Sequence, residues 1–91
     1  MKRLLLLALP VSAEQKPLKV MLITGGCCHN YATQKEILKK GIEERANITV
    51  DQIHSTDSNT KPKLPIFGFP EYATGYDVVI HDECAADIKD E

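Results

Sequence analysis

The chain has 91 residues, of which 43% are hydrophobic and 26% are charged, and its formal net charge is -2. This length and composition are typical of a single soluble globular domain. A near-neutral charge without a long run of lysine or arginine does not favour nucleic acid or an anionic membrane surface as a partner.

The first 13 residues have the pattern of a secretory signal peptide. A positively charged start is followed by the apolar run Leu4 to Leu9 and by the small-residue exit Val11-Ser12-Ala13. The apolar run ends at Pro10, well short of the roughly 20 residues that a membrane-spanning helix needs. We therefore predict cleavage after Ala13, a lead-in over residues 14–18, and a secreted or periplasmic protein with no membrane association.

A first strand is predicted over Lys19 to Thr24, because Val20 to Ile23 are continuously apolar. Such a run favours a strand that is covered on both faces, as in a parallel sheet. Gly25 and Gly26 end it, either as a tight turn with positive φ, which we favour, or as a close backbone approach to a ligand. The motif G-x-G-x-x-G is absent, so the sequence indicates no nucleotide cofactor.

A helix is predicted next, since Thr33 to Glu36 match a capping box. Apolar residues then recur at helical spacing as far as Ala46, and Asn47 is the predicted stop. Ile48 to Ile53 have the composition of a second strand, with one face polar, which suits the edge of a sheet.

The remaining elements complete the prediction of an α/β fold. His54 to Pro70 are expected to form an ordered excursion that packs aromatic side chains on the domain, and Glu71 to Gly75 a single helical turn. Val78 to His81 are the predicted third strand, short and buried. Strand, helix and strand in this order form a parallel crossover unit with the first strand central. Ligands are then expected beyond the carboxyl ends of the first and third strands.

The two loops at those strand ends carry most of the reactive side chains. His29 and Glu83 are the candidate catalytic residues, because an imidazole and a single carboxylate supply general acid/base chemistry. Asp82 and Glu83 are adjacent, so only one of them is expected to point into a given cleft. The candidate ligand-binding residues are Gly25, Gly26, Cys27, Cys28, Asn30, Tyr31, His81, Asp82 and Cys84.

Plainer roles are also open to some of these residues. His29 also fits a solvated loop histidine, and Tyr31 fits a side chain that packs on the start of the helix. His54 ends the second strand and is expected at the surface.

The three cysteines, Cys27, Cys28 and Cys84, are too few for a disulfide framework. A bridge between the adjacent Cys27 and Cys28 is expected to be strained, whereas Cys84 can pair with one of them only if their Cα atoms lie within about 7 Å. One thiol stays free in either case. The chain lacks C-x-x-C and H-E-x-x-H spacing, so no metal ligands are assigned and no cofactor is identified.

Three segments together resemble a known family: Val20 to Tyr31, Gln34 to Leu38 and Gly75 to Cys84. They resemble the amino-terminal part of ThuA-like domains, the trehalose-utilisation family, particularly its secreted bacterial members. The resemblance covers essentially residues 19–91. It implies a class I glutamine amidotransferase-like fold with a flavodoxin-like parallel sheet, apparently truncated after the third strand, and a cleft associated with carbohydrate metabolism.

The chain also departs from that pattern in two respects. Amidotransferases of this fold carry a cysteine in a G-x-C-x-G elbow, which neither cysteine segment here has, so glutaminase activity is not implied. Asn30 stands where relatives carry aspartate, so the resemblance implies no proton transfer at that position.

The functional expectation is an exported ThuA-like domain protein that acts on trehalose-like or keto-sugar glycosides, with a small-molecule carbohydrate as its partner. Two alternatives stay open. One is a non-catalytic carbohydrate-binding module, and the other is an inactive fragment of a longer enzyme, with an unpaired edge on its third strand.

Overall fold

The structure is a computed structural model and describes residues 15–89, so the predicted signal peptide lies outside the described residues. Its elements are β1 (Leu18–Gly26), α1 (Tyr31–Arg45), β2 (Ile48–His54), a 3-10 turn (Pro65–Gly68) and β3 (Val78–Cys84). Within residues 15–89, the helices are too short and too polar to cross a membrane.

The three strands form one parallel sheet in the order β2-β1-β3. Both outer strands are hydrogen-bonded to β1, with Val20 paired to Val50 on one side and to Val78 on the other. The predicted α/β class, the parallel strands and the central position of β1 are therefore confirmed.

The strand β1 is buried on both faces, as its apolar run predicts. On one face Leu22, fully buried, packs with Val50 beneath Leu38 and Ile42 of α1. Side chains alternate along a strand, so Ile23, also fully buried, faces the other side of the sheet.

The segment between β2 and β3 contacts the opposite face of the sheet. The Tyr76 hydroxyl donates to Asp51 Oδ2 at 2.7 Å, and the Phe67 ring stacks on His81 with centroids 6.0 Å apart. Phe69, in contrast, is 65% exposed. Phe67 is itself 43% exposed, so the predicted packing of aromatic side chains on the domain is confirmed only for the contact of Phe67 with His81.

The helix α1 begins earlier than the capping box predicts. Asn30 is the N-cap, and its Oδ1 accepts from the backbone N–H of Thr33 at 3.1 Å. Glu36 pairs instead with the Lys35 ammonium at 2.6 Å, so the capping box prediction is wrong. The earlier start places the Tyr31 ring in the core, where it is 7% exposed, and this burial favours Asn30 as the cap.

Replacing Asn30 by Ala is expected to lower the free energy of unfolding by about 1 kcal/mol, because the N–H of Thr33 loses its acceptor. The matched variant Thr33→Ala is expected to change it by less than about 0.5 kcal/mol, since that hydroxyl caps nothing in the structure. Urea denaturation measures both values. A larger loss in Thr33→Ala than in Asn30→Ala contradicts the assigned cap.

Side chains in the carboxyl-terminal half of α1 form hydrogen bonds with the edge of β2 that faces away from β1. Glu43 Oε2 accepts from Val50 N at 2.8 Å and from the Lys39 ammonium at 2.9 Å, and that ammonium also donates to Val50 O at 2.6 Å. These hydrogen bonds, first from the Val50 amide and then from Lys39, lower the pKa of the Glu43 carboxyl. The outward backbone N–H and C=O of Val50 are thereby satisfied by helix side chains, which hinders the pairing of another strand at that position.

The structure differs from the prediction in β3 and in the segment that precedes this strand. Residues 71–75 form hydrogen-bonded turns rather than a helical turn. The strand runs on through Cys84, and Val78 is 45% exposed, so the prediction of a short buried strand is wrong. Pairing with β1 extends to Gly26, and β3 tolerates polar residues because it lies at the edge of the described sheet.

Candidate functional site

The parallel register gathers the carboxyl ends of all three strands. Thr24 of β1 lies level with His54 of β2 and with Asp82 of β3, and Gly26 lies level with Cys84. Most of the candidate residues lie at or just after these positions in the chain. They therefore meet at the end of the sheet where the carboxyl ends of the strands lie.

Gly25 and Gly26 are needed for this convergence. They have φ angles of 138° and 96°, which L side chains rarely adopt. A Cβ on Gly25 would lie 2.8 Å from the backbone oxygen of Ser55, and one on Gly26 would overlap with the backbone oxygen of Cys84. Both glycines lie within β1, so the prediction that they form a tight turn after the strand is wrong. They let the backbone of β1 approach those of β3 and of Ser55, which directly follows β2.

A cavity of about 160 Å³ lies between the ends of β1 and β2. Its polar lining includes His29, Asn30, Tyr31, His54, Ser55 and Asp57. His54 Nδ1 is hydrogen-bonded to Thr24 Oγ1 at 2.7 Å, which fixes the ring, and Ser55 N donates to Thr24 O at 3.0 Å. The cavity thus offers imidazole, amide, hydroxyl and carboxylate groups to a polar ligand.

Tyr31 lies between this cavity and the end of β3. Its ring meets the His29 ring edge to face, with centroids 5.7 Å apart. Burial chiefly, and then electrostatic interactions with Cys84, Asp82 and Glu83, raise the pKa of the Tyr31 hydroxyl. The hydroxyl therefore stays protonated at neutral pH and is available as a hydrogen-bond donor.

The two carboxylates at the end of β3 diverge. Asp82 lies on the face covered by α1, and Glu83 lies on the opposite face with His81, as expected from the alternation of a strand. Glu83 Oε1 pairs with His81 Nδ1 at 2.6 Å. Asp82 Oδ2 and Glu83 Oε2 are both buried without a hydrogen-bond partner among the described residues.

The three cysteines form a compact group beside β3. Cys27 and Cys28 are joined as a disulfide, and Cys84 is a free thiol. The bridge joins the adjacent pair, for which strain was expected, and Cys84 is the thiol that stays free. Cys84 Sγ nevertheless lies 4.0 Å from Cys27 Sγ, so its loop does meet the loop after β1.

The candidate residues form two neighbouring groups, one that lines the cavity and one outside it. The cavity is lined by Gly25, Gly26, His29, Asn30 and Tyr31, whereas Cys27, Cys28, His81, Asp82, Glu83 and Cys84 are outside its lining.

Sequence reasoning assigned no site role to His54, Ser55 or Asp57, which line the cavity. The sequence nevertheless contains a pattern that indicates these three residues. The polar run Ser55 to Ser58 follows β2 directly, just as the loop of His29 follows β1, and both loops leave carboxyl ends of parallel strands.

Searches of known protein families, curated proteins and solved structures find no significant match for this chain.

Proposed function

We propose that the chain is an exported ThuA-like domain protein of carbohydrate metabolism, and that the cavity between the ends of β1 and β2 binds one sugar ring of a trehalose-like or keto-sugar glycoside. The observation that carries the proposal is the polar lining of this cavity at the carboxyl ends of parallel strands. The strand order β2-β1-β3 also matches the beginning of a flavodoxin-like sheet, which supports the fold implied by the resemblance.

The lining suits the hydroxyl groups of a sugar, each of which both donates and accepts a hydrogen bond. Asn30 Oδ1 is engaged as the helix cap, so its amide group remains as a donor. His54 Nδ1 is hydrogen-bonded to Thr24 Oγ1, so Nε2 of the same ring remains for a hydrogen bond with a ligand. Tyr31 supplies a buried ring beside these groups.

The volume of the cavity limits the ligand. At about 160 Å³ it lies below the range of about 300–1,000 Å³ that is usual for sites of drug-sized ligands. We therefore assign it a single ring of a disaccharide, with the second ring outside the cavity.

A non-catalytic binding module is the second candidate, and one observation favours it. His29 lines the cavity, but Glu83 lies outside the lining and is paired with His81. The two candidate catalytic groups thus do not share the cavity. An acid/base reaction there would depend on the imidazoles of His29 and His54 and the carboxylate of Asp57, which line the cavity.

Calorimetric titration of the purified chain with trehalose and with a keto-sugar glycoside tests the proposal. We expect His29→Ala to raise Kd about 3- to 10-fold, as removal of one ligand hydrogen bond does. The matched variant is His81→Ala, another exposed imidazole at a strand end, whose ring stacks on Phe67 away from the cavity. We expect its Kd to match that of the unmodified protein.

The reverse result, in which His81→Ala weakens binding and His29→Ala does not, would place the site on the β3 side and contradict the proposal. Circular dichroism of both variants shows whether the fold is retained. Chromatography after long incubation separates the two candidates, since a product identifies an enzyme and an unchanged ligand identifies a binding module.

A further inference from the structure

The cysteine group outside the cavity has a geometry that its disulfide alone does not explain. The sulfur atoms of Cys27, Cys28 and Cys84 all lie within 4.8 Å of one another. Cys84 and Cys27 are 57 positions apart in the sequence, and the pairing of Gly26 with Cys84 brings them together. A free thiol is thus held beside a disulfide by the register of the sheet.

We propose that these three residues form a thiol–disulfide exchange site with two pairing states. In one state Cys27 is joined to Cys28 and Cys84 is the thiol, as in the structure. In the other state Cys27 is joined to Cys84 and Cys28 is the thiol. The site takes soluble thiols and disulfides as its substrate class, through the exposed Cys28.

The internal step balances without an added oxidant or reductant. Cys84 loses its proton to water, and the thiolate attacks Cys27 Sγ. The new bond joins the sulfurs of Cys84 and Cys27, the bond between Cys27 and Cys28 breaks, and the electron pair leaves with Cys28 Sγ. Cys28 then takes a proton from water.

Two features of the structure support this direction of attack. Cys27 Sγ is the sulfur in contact with Cys84 Sγ, at 4.0 Å, so Cys28 is the natural leaving group. Cys28 is also the one described residue other than glycine with a positive φ, at 88°. L residues rarely adopt this conformation, so a rearrangement that lets the Cys28 backbone relax is favoured.

Exchange moves the thiol from a half-buried to an exposed position. Cys84 is half-buried, whereas Cys28 is exposed. In the second state the Cys28 thiolate can attack a disulfide RS–SR in solution: a Cys28–SR bond forms, the S–S bond of the disulfide breaks, and the second RS group leaves as a thiolate that takes a proton from water. The half-buried Cys84 thiol of the first state reaches such a disulfide less readily.

Alkylation of the oxidised protein with iodoacetamide at pH 8, followed by tryptic digestion and tandem mass spectrometry, tests the proposal. We expect label on both Cys84 and Cys28, together with a disulfide-linked pair of the peptides 20–35 and 64–89, which contain Cys27 and Cys84. In Cys84→Ser, label on Cys28 is expected to fall to background.

The variant Cys28→Ser gives an independent result that does not depend on the adjacent bridge. Oxidised glutathione is expected to join Cys27 to Cys84 within one chain of this variant. Label confined to Cys84 in the unmodified protein, label on Cys28 that persists in Cys84→Ser, or two unbridged cysteines in oxidised Cys28→Ser would each overturn the proposal.

Discussion

Gly26→Ala is expected to cause the largest loss of stability of any single methyl addition in the described sheet. The new Cβ would overlap with the backbone oxygen of Cys84, and backbone atoms cannot move aside as a flexible side chain can. The φ of 96° adds a cost of about 1–2 kcal/mol, and overpacking adds about 1–3 kcal/mol or more. Since a domain of this size is stable by only about 5–10 kcal/mol, urea denaturation should show a largely unfolded or strongly destabilised protein.

Substitutions at two other glycines distinguish the cost of the positive φ from the cost of the steric overlap. Gly75 has a φ of 88°, but no atom lies within 4 Å of the place that an added methyl group would occupy, so Gly75→Ala reports the backbone cost alone. Gly68 has neither a positive φ nor a near neighbour, so Gly68→Ala should be nearly neutral. We expect the losses to rise from Gly68 to Gly75 to Gly26. Equal losses at Gly75 and Gly26 would contradict the close approach of β1 and β3.

Leu22→Ala is expected to lower the free energy of unfolding by about 2–5 kcal/mol. Leu22 is fully buried at the centre of the core between the sheet and α1, and its truncation leaves a cavity that the rigid central strand cannot close. Urea denaturation should show a lower midpoint with an unchanged slope.

Ile37→Ala is the matched control for that measurement. Ile37 is an aliphatic residue of α1 but is 64% exposed, so its truncation removes little buried surface. We expect a change within about 0.5 kcal/mol. A loss at Ile37 as large as that at Leu22 would mean that α1 presents a different face to the sheet.

The central strand was predictable because its burial is encoded locally. Four consecutive apolar residues, Val20 to Ile23, require cover on both faces, and only a central position in a layered fold provides it. The parallel pairing of β1 with β2 followed from the helix that connects them.

The limits of α1 and β3 depended on tertiary contacts that no local pattern contains. Asn30 and Thr33 are both good caps, and the burial of Tyr31 favours the first. The polar residues Asp82 and Glu83 suggested that β3 had ended at His81, but hydrogen bonding with β1 continues as far as Cys84. Pairing at an edge is decided by the neighbouring strand more than by the side chains.

The sequence also did not indicate on which side of β1 the cavity would lie. The rule for parallel sheets favoured the gap between β1 and β3. The cavity forms instead beside β2, because the loop after β2 folds back on β1, where Gly26 N donates to Asp57 O at 3.0 Å. That contact requires the close approach of Ser55 to Gly25, which the positions of the glycines in the sequence do not reveal.

The most direct test of the proposed sugar site is a trehalose titration followed by the amide signals of the ¹⁵N-labelled protein in two-dimensional NMR spectra. We predict saturable shifts in residues 29–32 and 54–58, which border the cavity, and unchanged signals at the amino ends of the strands, around Lys19 and Thr49. Shifts confined to residues 81–84, or no saturable shift at all, would contradict the account.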